Sequence, residues 1–404
     1  MLTIIEKATL ATKQQNWSLV NQYLGELPLS KKVDTPQKLS EKQLQQVLNL
    51  ALQVLKIGDF EQRWEIAKLF KQLGKPAITP LIDILEDEET DPEIRWFAGR
   101  ILGQFKQPEV IIALVEILQN GSDEELVSTA AQSLAEIGDD AIEALNKFLK
   151  QDKYELKFLA VQALSYIRRP LVIEPLLGVI QDPHPEIRAI AIETLGSFHH
   201  PRITSILLTA LEDKSAQVRK EAVSALGFQA KYLPDLNLTS AIKPLLYDLN
   251  LEVCQRAINT LGRLATLEAL EALFPLLQSQ VTPIHLKIDT VRALAWTATS
   301  LALTYLGEAL TNNSLETQVC GEIVIMLGRW ETDNLKPQAN QVLLDFLNSG
   351  HEIAKINQIQ QTVAFSLGQL GQSSAINTLQ KLAQQGDQTL QLHALSALKK
   401  VNSI

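Results

Sequence analysis

The side chains with the most reactive chemistry in this sequence are two cysteines, Cys254 and Cys320. A thiol can form a disulfide, bind a metal or act as a nucleophile, and each role needs partner residues at a suitable spacing. No Cys-x-x-Cys or His-Glu-x-x-His pattern accompanies them, the six histidines are scattered, and the G-x-S-x-G and G-x-x-x-x-G-K-[ST] motifs are absent. The sequence therefore predicts neither a metal site nor a catalytic residue.

Other side chains are suited to binding a partner rather than to a reaction. Aromatic and arginine residues are the usual anchors of protein interfaces. The candidate partner-binding residues, which share fixed positions within a sequence repeat, are Trp64, Trp96, Phe97, Arg100, Arg256, Asn259 and Glu322.

The repeat that positions these residues occurs eleven times. An acidic residue and an aliphatic residue precede a position that we call the arginine slot, and a small or aliphatic residue and a large apolar residue follow it by three and seven positions. The slots are Arg63, Arg95, Val127, Lys157, Arg188, Arg219, Cys254, Lys287, Cys320, Gln360 and Gln391. Regular recurrence at about 30 to 40 residues predicts an array of stacked structural units.

Each unit is predicted to be a pair of helices. In His184 to Gly196, Ile187, Ala191 and Leu195 fall at helical spacing, and Gly196 is placed to end this second helix. An apolar first helix precedes each second helix, as in Pro108–Leu118, Pro170–Ile180 and Ser240–Leu249. Pro80, Pro175 and Pro244 recur in the first helices, where an early position costs little and a later one kinks the helix.

The predicted fold is all-α, an α-solenoid of about eleven two-helix HEAT-like repeats over residues 58–404, because one pair cannot bury its apolar stripe alone. Residues 1–57 do not fit the repeat and are predicted to be an N-terminal helical cap, with helices near 2–13, 15–26 and 40–57 and a polar linker from Leu27 to Lys38. The alternative is a small docking module around Trp17, Val20, Tyr23 and Leu24.

The slot itself has a predicted mechanical role. An acid lies six residues before several slots, as Asp182 does before Arg188 and Asp248 before Cys254. We expect slot arginines to bind a neighbouring repeat's carboxylate or turn carbonyls. Cys254 and Cys320 fill slots two repeats apart, on the order of 20 Å, so they are predicted to be free thiols; the alternative is a ligand-contacting or bilin-contacting role.

The candidate binding residues lie one, two or five positions after a slot. Because second helices usually line the concave surface of such arrays, these positions are predicted to face outward there. Trp96, Phe97 and Arg100 follow one another in a single patch. The 40-residue step between Cys320 and Gln360 is expected to lengthen the turn within Gly328–Gln341, as a surface loop or as part of the binding face.

The segment D-P-E-I-R-W-F-A-G-R-I-L-G (Asp91 to Gly103) resembles the short HEAT-like repeat of the phycobilisome-lyase type, and similar copies cover about residues 58–404. The resemblance implies a right-handed superhelix, a cyanobacterial-like source and protein binding. Arg95 to Gly103 also resembles the R-Y-Y-A-A-W-W-L-G segment of the E-type subunits of phycobilin lyases. Arg100 and Ile101 replace the second aromatic pair, which weakens the transfer of bilin chemistry.

Two functions follow as expectations. The first is a non-catalytic protein-interaction scaffold, with no cofactor, whose partner could be a phycobiliprotein subunit. The alternative is a phycobilin lyase or lyase-isomerase that attaches a bilin to an antenna apoprotein. A net charge of −9 and a pI near 5.3 argue against a nucleic-acid partner. No run of about 18 apolar residues and no signal peptide is seen, so a cytoplasmic chain without a membrane span is expected.

Overall fold

The computed structural model describes residues 3–27, 39–232, 236–312, 314–385 and 387–402. Within these ranges every regular element is a helix, and none is a strand. The chain divides into two compact units, Met1–Leu195 and Gly196–Ile404. The all-α prediction is confirmed.

The helices are numbered in chain order, and from residue 58 onward second and first members of the repeat pairs alternate. In the first unit they are α1 (Ile4–Lys13), α2 (Trp17–Gly25), α3 (Glu41–Ile57), α4 (Phe60–Leu73), α5 (Ile78–Glu86), α6 (Pro92–Leu102), α7 (Pro108–Asn120), α8 (Glu124–Ile137), α9 (Ile142–Leu149), α10 (Tyr154–Ile167), α11 (Ile173–Leu177) and α12 (Pro185–Leu195). In the second unit they are α13 (Pro201–Ala210), α14 (Ala216–Gln229), α15 (Leu238–Ile242), α16 (Leu251–Leu264), α17 (Leu267–Gln278), α18 (Ile284–Trp296), α19 (Ser300–Leu310), α20 (Thr317–Gly328), α21 (Lys336–Asn348), α22 (Asn357–Leu370), α23 (Ile376–Gln385) and α24 (Gln388–Val401).

All eleven arginine slots lie in second helices, one in each even-numbered helix from α4 to α24. Successive second helices pack on each other from α4 to α12 in the first unit and from α14 to α24 in the second. The core residue Leu195 is fully buried in α12, as the repeat predicts. The helix-pair unit and its register are therefore confirmed.

The N-terminal helices α1, α2 and α3 lie where the sequence places them. Helix α3 packs against α4, while α1 and α2 pack on α3, and α2 also contacts α4. The hydrogen bond from Asn21 Nδ2 to the Gln62 carbonyl, at 2.9 Å, joins α2 to α4. This packing suits a cap, and the boundary at residue 57 stays a prediction; the predicted linker lies mostly outside the described residues.

Proline shapes two of the first helices. The segment predicted as one helix from Ser240 to Leu249 is divided, because α15 ends at Ile242 and a 3₁₀ helix spans Lys243–Tyr247 with Pro244 near its start. Proline lacks the N–H that an α-helix would use at this point. The segment beginning at Pro170 is likewise a 3₁₀ turn followed by the short α11.

Glycines that recur at one repeat position set how closely second helices approach one another. Gly196 follows the end of α12 as predicted, but the same repeat position lies inside the helix at Gly262 in α16 and Gly368 in α22. A Cβ atom on Gly262 would lie 2.8 Å from the Cβ atom of Ala293, and one on Gly368 would lie 2.8 Å from the Cβ atom of Ala397. These glycines permit close packing rather than ending a helix.

The 40-residue step is accommodated in two places. The predicted loop contains a 3₁₀ helix at Asp333–Leu335 before α21, and its Trp330 side chain is buried. A second extension between α21 and α22 contains the 3₁₀ helix Glu352–Lys355 and the buried His351. The prediction that one turn holds the extra residues is therefore incomplete.

None of the helices described is long and apolar enough to cross a membrane.

Candidate partner-binding surface

Four aromatic rings from α4 and α6 meet in the first unit. The Phe97 ring lies 5.4 Å from that of Phe60, 6.5 Å from that of Trp64 and 5.0 Å from that of Trp96, measured between centroids. Phe60 and Trp64 also stack at 6.2 Å, as expected for residues one helical turn apart. We call Phe60, Trp64, Trp96 and Phe97 the aromatic cluster.

Exposure differs sharply within the aromatic cluster. Phe60 and Trp64 are 57% and 45% exposed, Trp96 is half-buried, and Phe97 is only 1% exposed. The expectation that Phe97 faces outward is therefore wrong. Its position three residues after Ile94 and four before Ile101 places it on the apolar stripe of α6, so it supports the three outer rings from below.

Arg100 completes the predicted patch but is already engaged. Its guanidinium lies over the Trp96 ring at 5.8 Å from the centroid. It also contacts the carboxylate of Glu136 and the side-chain oxygen of Gln132 on α8, each at 3.4 Å. With a side chain one third exposed, Arg100 holds Trp96 in place and remains partly open to solvent.

A groove of about 510 Å³ runs beside the aromatic cluster. We call it the acidic groove, and it is lined by Phe60, Asp91, Pro92, Glu93, Trp96, Asp123, Glu125 and Leu126. Its carboxylates come from the first turns of α6 and α8, because acidic residues cap or follow these helix starts. Phe60 was not among the predicted residues, although its spacing of four from Trp64 was a usable signal.

The remaining predicted residues lie in the second unit. Asn259 and Glu322 line a groove of about 690 Å³ together with Asp289, Arg292, Ala295, Trp296, Ala298, Met326, Arg329, Trp330 and Glu331. Arg292 donates from Nε to Glu322 at 2.7 Å, which joins α18 to α20. Arg256 is partly exposed and is not among the lining residues. Trp296, 64% exposed, is a surface aromatic that the slot offsets did not identify.

The slot cations form the structural ladder that the sequence predicts. Arg219 donates to both carboxylate oxygens of Asp248 in the next repeat at 2.7 Å and also to the carbonyl of Asp213 at 2.7 Å. Arg188 donates to the carbonyl of Asp182 at 2.7 Å. Lys157 donates to the carboxylate of Asp182 at 2.8 Å. The ladder prediction is confirmed for these repeats.

The ladder also explains the ionisation of its acids. Burial by itself raises the pKa of Asp182, but hydrogen bonds from Lys157 and from the backbone and ring of His184 outweigh it, so the pKa lies below 3.8. Burial likewise raises the pKa of Asp248, and the hydrogen bonds from Arg219 and the Asn250 backbone bring it below 3.8. Both side chains are nearly inaccessible to water, which suits a structural role.

Both cysteines are buried free thiols, as predicted. Cys254 Sγ donates to the Asp248 carbonyl at 3.1 Å, where the slot arginines of other repeats place a guanidinium. Burial raises the pKa of Cys254, and burial with the nearby Glu316 carboxylate raises the pKa of Cys320 to about 12. A protonated thiol is a poor nucleophile. Within the described ranges, no group of three or more His, Cys, Asp or Glu side chains could hold a metal ion.

Two of the four residues of the alternative docking module at the N-terminus lie in the core. Val20 and Leu24 are fully buried, so they pack α2 rather than face a partner. Trp17 and Tyr23 are half-buried, and the Lys7 ammonium lies 5.9 Å from the centroid of the Tyr23 ring.

Comparison with known proteins identifies the repeat. A family model for HEAT repeats matches residues 78–165, 113–186 and 173–237. No curated protein shows significant similarity to the sequence. The chain is similar in structure to Kap95p, whose binding induces the switch loops of RanGDP to adopt the GTP-bound conformation, with a TM-score of 0.56 and 14% identity over 98% of this chain and 61% of that one.

The chain is also similar to the karyopherin Kap121p, solved bound to the extreme C-terminus of the protein phosphatase Cdc14p, with a TM-score of 0.52 and 15% identity over 98% of this chain and 54% of that one. It thus spans less than two thirds of either neighbour. At such identities the likeness shows a common fold alone. The chain therefore contains HEAT repeats, which the family model locates within residues 78–237, in an α-solenoid fold.

Proposed function

We propose that this chain is a non-catalytic interaction scaffold that binds a partner protein on its second helices, with the aromatic cluster as the main contact. The observation that carries the proposal is the meeting of three partly exposed rings, Phe60, Trp64 and Trp96, over the buried Phe97. Rigid, adjoining aromatic side chains lose little conformational entropy on binding and bury a large apolar area, which is why they dominate interface energetics.

The architecture supports this proposal. Stacked repeats present a long series of side chains on one layer of helices, and solenoids use such layers to bind other proteins. The structural neighbour Kap121p has been solved with a segment of another protein bound. By analogy of fold, we expect this chain to bind a protein segment, although the neighbour's own partner does not transfer at 15% identity.

A phycobiliprotein subunit is the partner that the resemblance of Arg95 to Gly103 favours, and bilin attachment is the competing function. Two observations favour the scaffold. Phe97, half of the aromatic pair that carries the resemblance, has a packing role, and the thiols of Cys254 and Cys320 are buried, so neither is exposed to contact a bilin. Co-expression with a bilin and an antenna apoprotein separates the functions: a lyase yields an antenna subunit with covalent visible absorbance, whereas a scaffold leaves it colourless.

The scaffold is tested by removing the outer rings. The Phe60→Ala, Trp96→Ala double variant should recover fewer partner proteins than the wild type from a native lysate, while keeping its helicity. A matched control, Tyr166→Ala with Phe228→Ala, removes two rings that are 65% and 66% exposed on other second helices and should recover them normally. Equal recovery by both double variants and the wild type would remove the aromatic cluster as the binding site.

A further inference from the structure

The acidic groove next to the aromatic cluster has a strongly one-sided charge. Four of its lining residues are carboxylates, namely Asp91, Glu93, Asp123 and Glu125, and none is lysine, arginine or histidine. These acids lie within one groove with the rings of Phe60 and Trp96. A binding segment that enters it must therefore tolerate or complement negative charge.

Part of this negative charge is already used within the protein. Asp91 and Asp123 accept hydrogen bonds from backbone N–H groups in the first turns of α6 and α8. The positive end of each helix dipole offsets about half of one carboxylate's negative charge. The Glu93 carboxylate forms an ion pair with Arg63 Nη1 at 2.7 Å. Glu125 is exposed, and no lysine or arginine of the described chain forms an ion pair with it. The groove thus keeps a negative excess after its internal partners are counted.

The aromatic side of the groove already displays the contact that a cationic ligand would make. The Arg100 guanidinium lies over the Trp96 ring, so this surface holds one arginine against an aromatic face. The Phe60 ring, more than half exposed, offers a further face in the same groove as the carboxylate of Glu93. Guanidinium groups combine stacking on a ring with forked hydrogen bonds to a carboxylate, which suits this juxtaposition.

We propose that the aromatic cluster and acidic groove bind an arginine-rich or lysine-rich segment of the partner protein. This inference rests on the proposed function and specifies the partner's chemistry. The apolar stems of the basic side chains pack on Phe60 and Trp96 while their charged ends reach Glu93 and Glu125. Charge complementarity fixes the occupant as a cationic segment rather than an acidic or purely apolar one.

A fluorescently labelled arginine hexapeptide, followed by anisotropy, tests this inference with the full chain. It should bind at least about tenfold more tightly than the same peptide with citrulline, which has nearly the same shape but is neutral and carries a carbonyl acceptor in place of one NH2 donor group. Raising the salt concentration from about 50 to about 300 mM should weaken its binding. Equal affinity for the arginine and citrulline peptides would overturn the inference.

Variants distinguish the groove from general attraction to an acidic chain. Glu125→Gln should weaken binding of the arginine peptide about three- to fivefold. Glu186→Gln, in the first turn of α12 and outside the groove, should leave it unchanged. Equal effects of both variants would contradict binding in the groove. The two proposals can fail separately. If the Phe60→Ala, Trp96→Ala variant loses its partner protein but the wild type binds the arginine peptide no better than the citrulline peptide, the inference about charge fails and the scaffold proposal stands.

Discussion

At the level of single residues, neighbours on one helix can have opposite roles. Trp96 and Phe97 are adjacent in sequence, yet one lies partly at the surface and the other is in the core. The offset from the slot suggested that both face outward. The apolar stripe through Ile94, Phe97 and Ile101 was the better guide, because core residues of a helix recur every three or four positions.

Truncating the buried ring should therefore affect stability, and truncating an outer ring should not. Phe97→Ala should lower the free energy of unfolding by about 3–5 kcal/mol, the cost of a cavity left by a buried aromatic ring. Trp64→Ala, at a side chain 45% exposed, should cost far less. Urea unfolding followed by circular dichroism compares the two variants. Similar losses of unfolding free energy would contradict the assignment of Phe97 as the buried ring beneath the three outer rings.

The ion pair between Lys157 and Asp182 predicts a pH dependence of stability. Because folding lowers the pKa of Asp182 below 3.8, its contribution is fully present above the unfolded pKa and is lost as the pH falls through the folded pKa. Asp182→Asn should therefore reduce the free energy of unfolding at neutral pH. The difference from the wild type should shrink once the pH falls below about 3.8.

The measurement is a series of urea titrations from neutral pH downward. In the Lys157→Met background the Asp182→Asn change should have a smaller pH-dependent effect, since the hydrogen bond from Lys157 is gone. A wild-type advantage that grows as the pH falls would show that the pKa of Asp182 is raised in the folded protein.

At the scale of helices, the sequence predicted the second helices best. The repeated slot and its apolar followers fix their register, so all eleven slots fall on second helices. First helices were harder to predict because proline can divide them: α15 ends at Ile242, and the 3₁₀ helix that follows contains Pro244 in its first turn. The role of the glycines inside α16 and α22 could not be predicted from the sequence of one helix. It depends on how closely the next second helix approaches.

Two glycines inside second helices give a matched test of this packing. Gly262→Ala places a Cβ atom 2.8 Å from the Cβ atom of Ala293, so α16 and α18 must move apart and stability should fall. Gly321→Ala in α20 meets only the end of Ile359 at 3.5 Å, an ordinary contact. It should raise the free energy of unfolding by up to about 1 kcal/mol through better helix propensity. Equal effects would show that α16 and α18 do not approach this closely.

At the scale of the whole molecule, the α-solenoid class was predictable because a fixed repeat must bury its apolar stripe against its neighbours. The binding surface was predictable only in part. Trp64 and Trp96 both contact Phe97, and Arg100 lies over Trp96. In contrast, Phe60 lies outside the slot offsets and Phe97 is buried. The partner was not predictable, because stacked repeats constrain the core far more than the exposed side chains.

Stability in a stacked array also depends on each layer of the core. Leu195→Asp places a charge at a fully buried position, which costs several kcal/mol without a partner. The melting temperature should fall and the helicity should decrease. Leu171→Asp, at a side chain 60% exposed, is the control and should melt close to the wild type. Unchanged melting of the Leu195 variant would mean that α12 does not contribute its apolar stripe to the core.

Isothermal titration with the purified partner recovered from the lysate measures whether the aromatic cluster binds that partner. The Phe60→Ala, Trp96→Ala variant should bind at least about thirtyfold more weakly than the wild type, equivalent to about 2 kcal/mol for an interface hot spot. Its melting temperature should change little. An unchanged dissociation constant in a fully folded variant would show that the partner does not bind at the aromatic cluster.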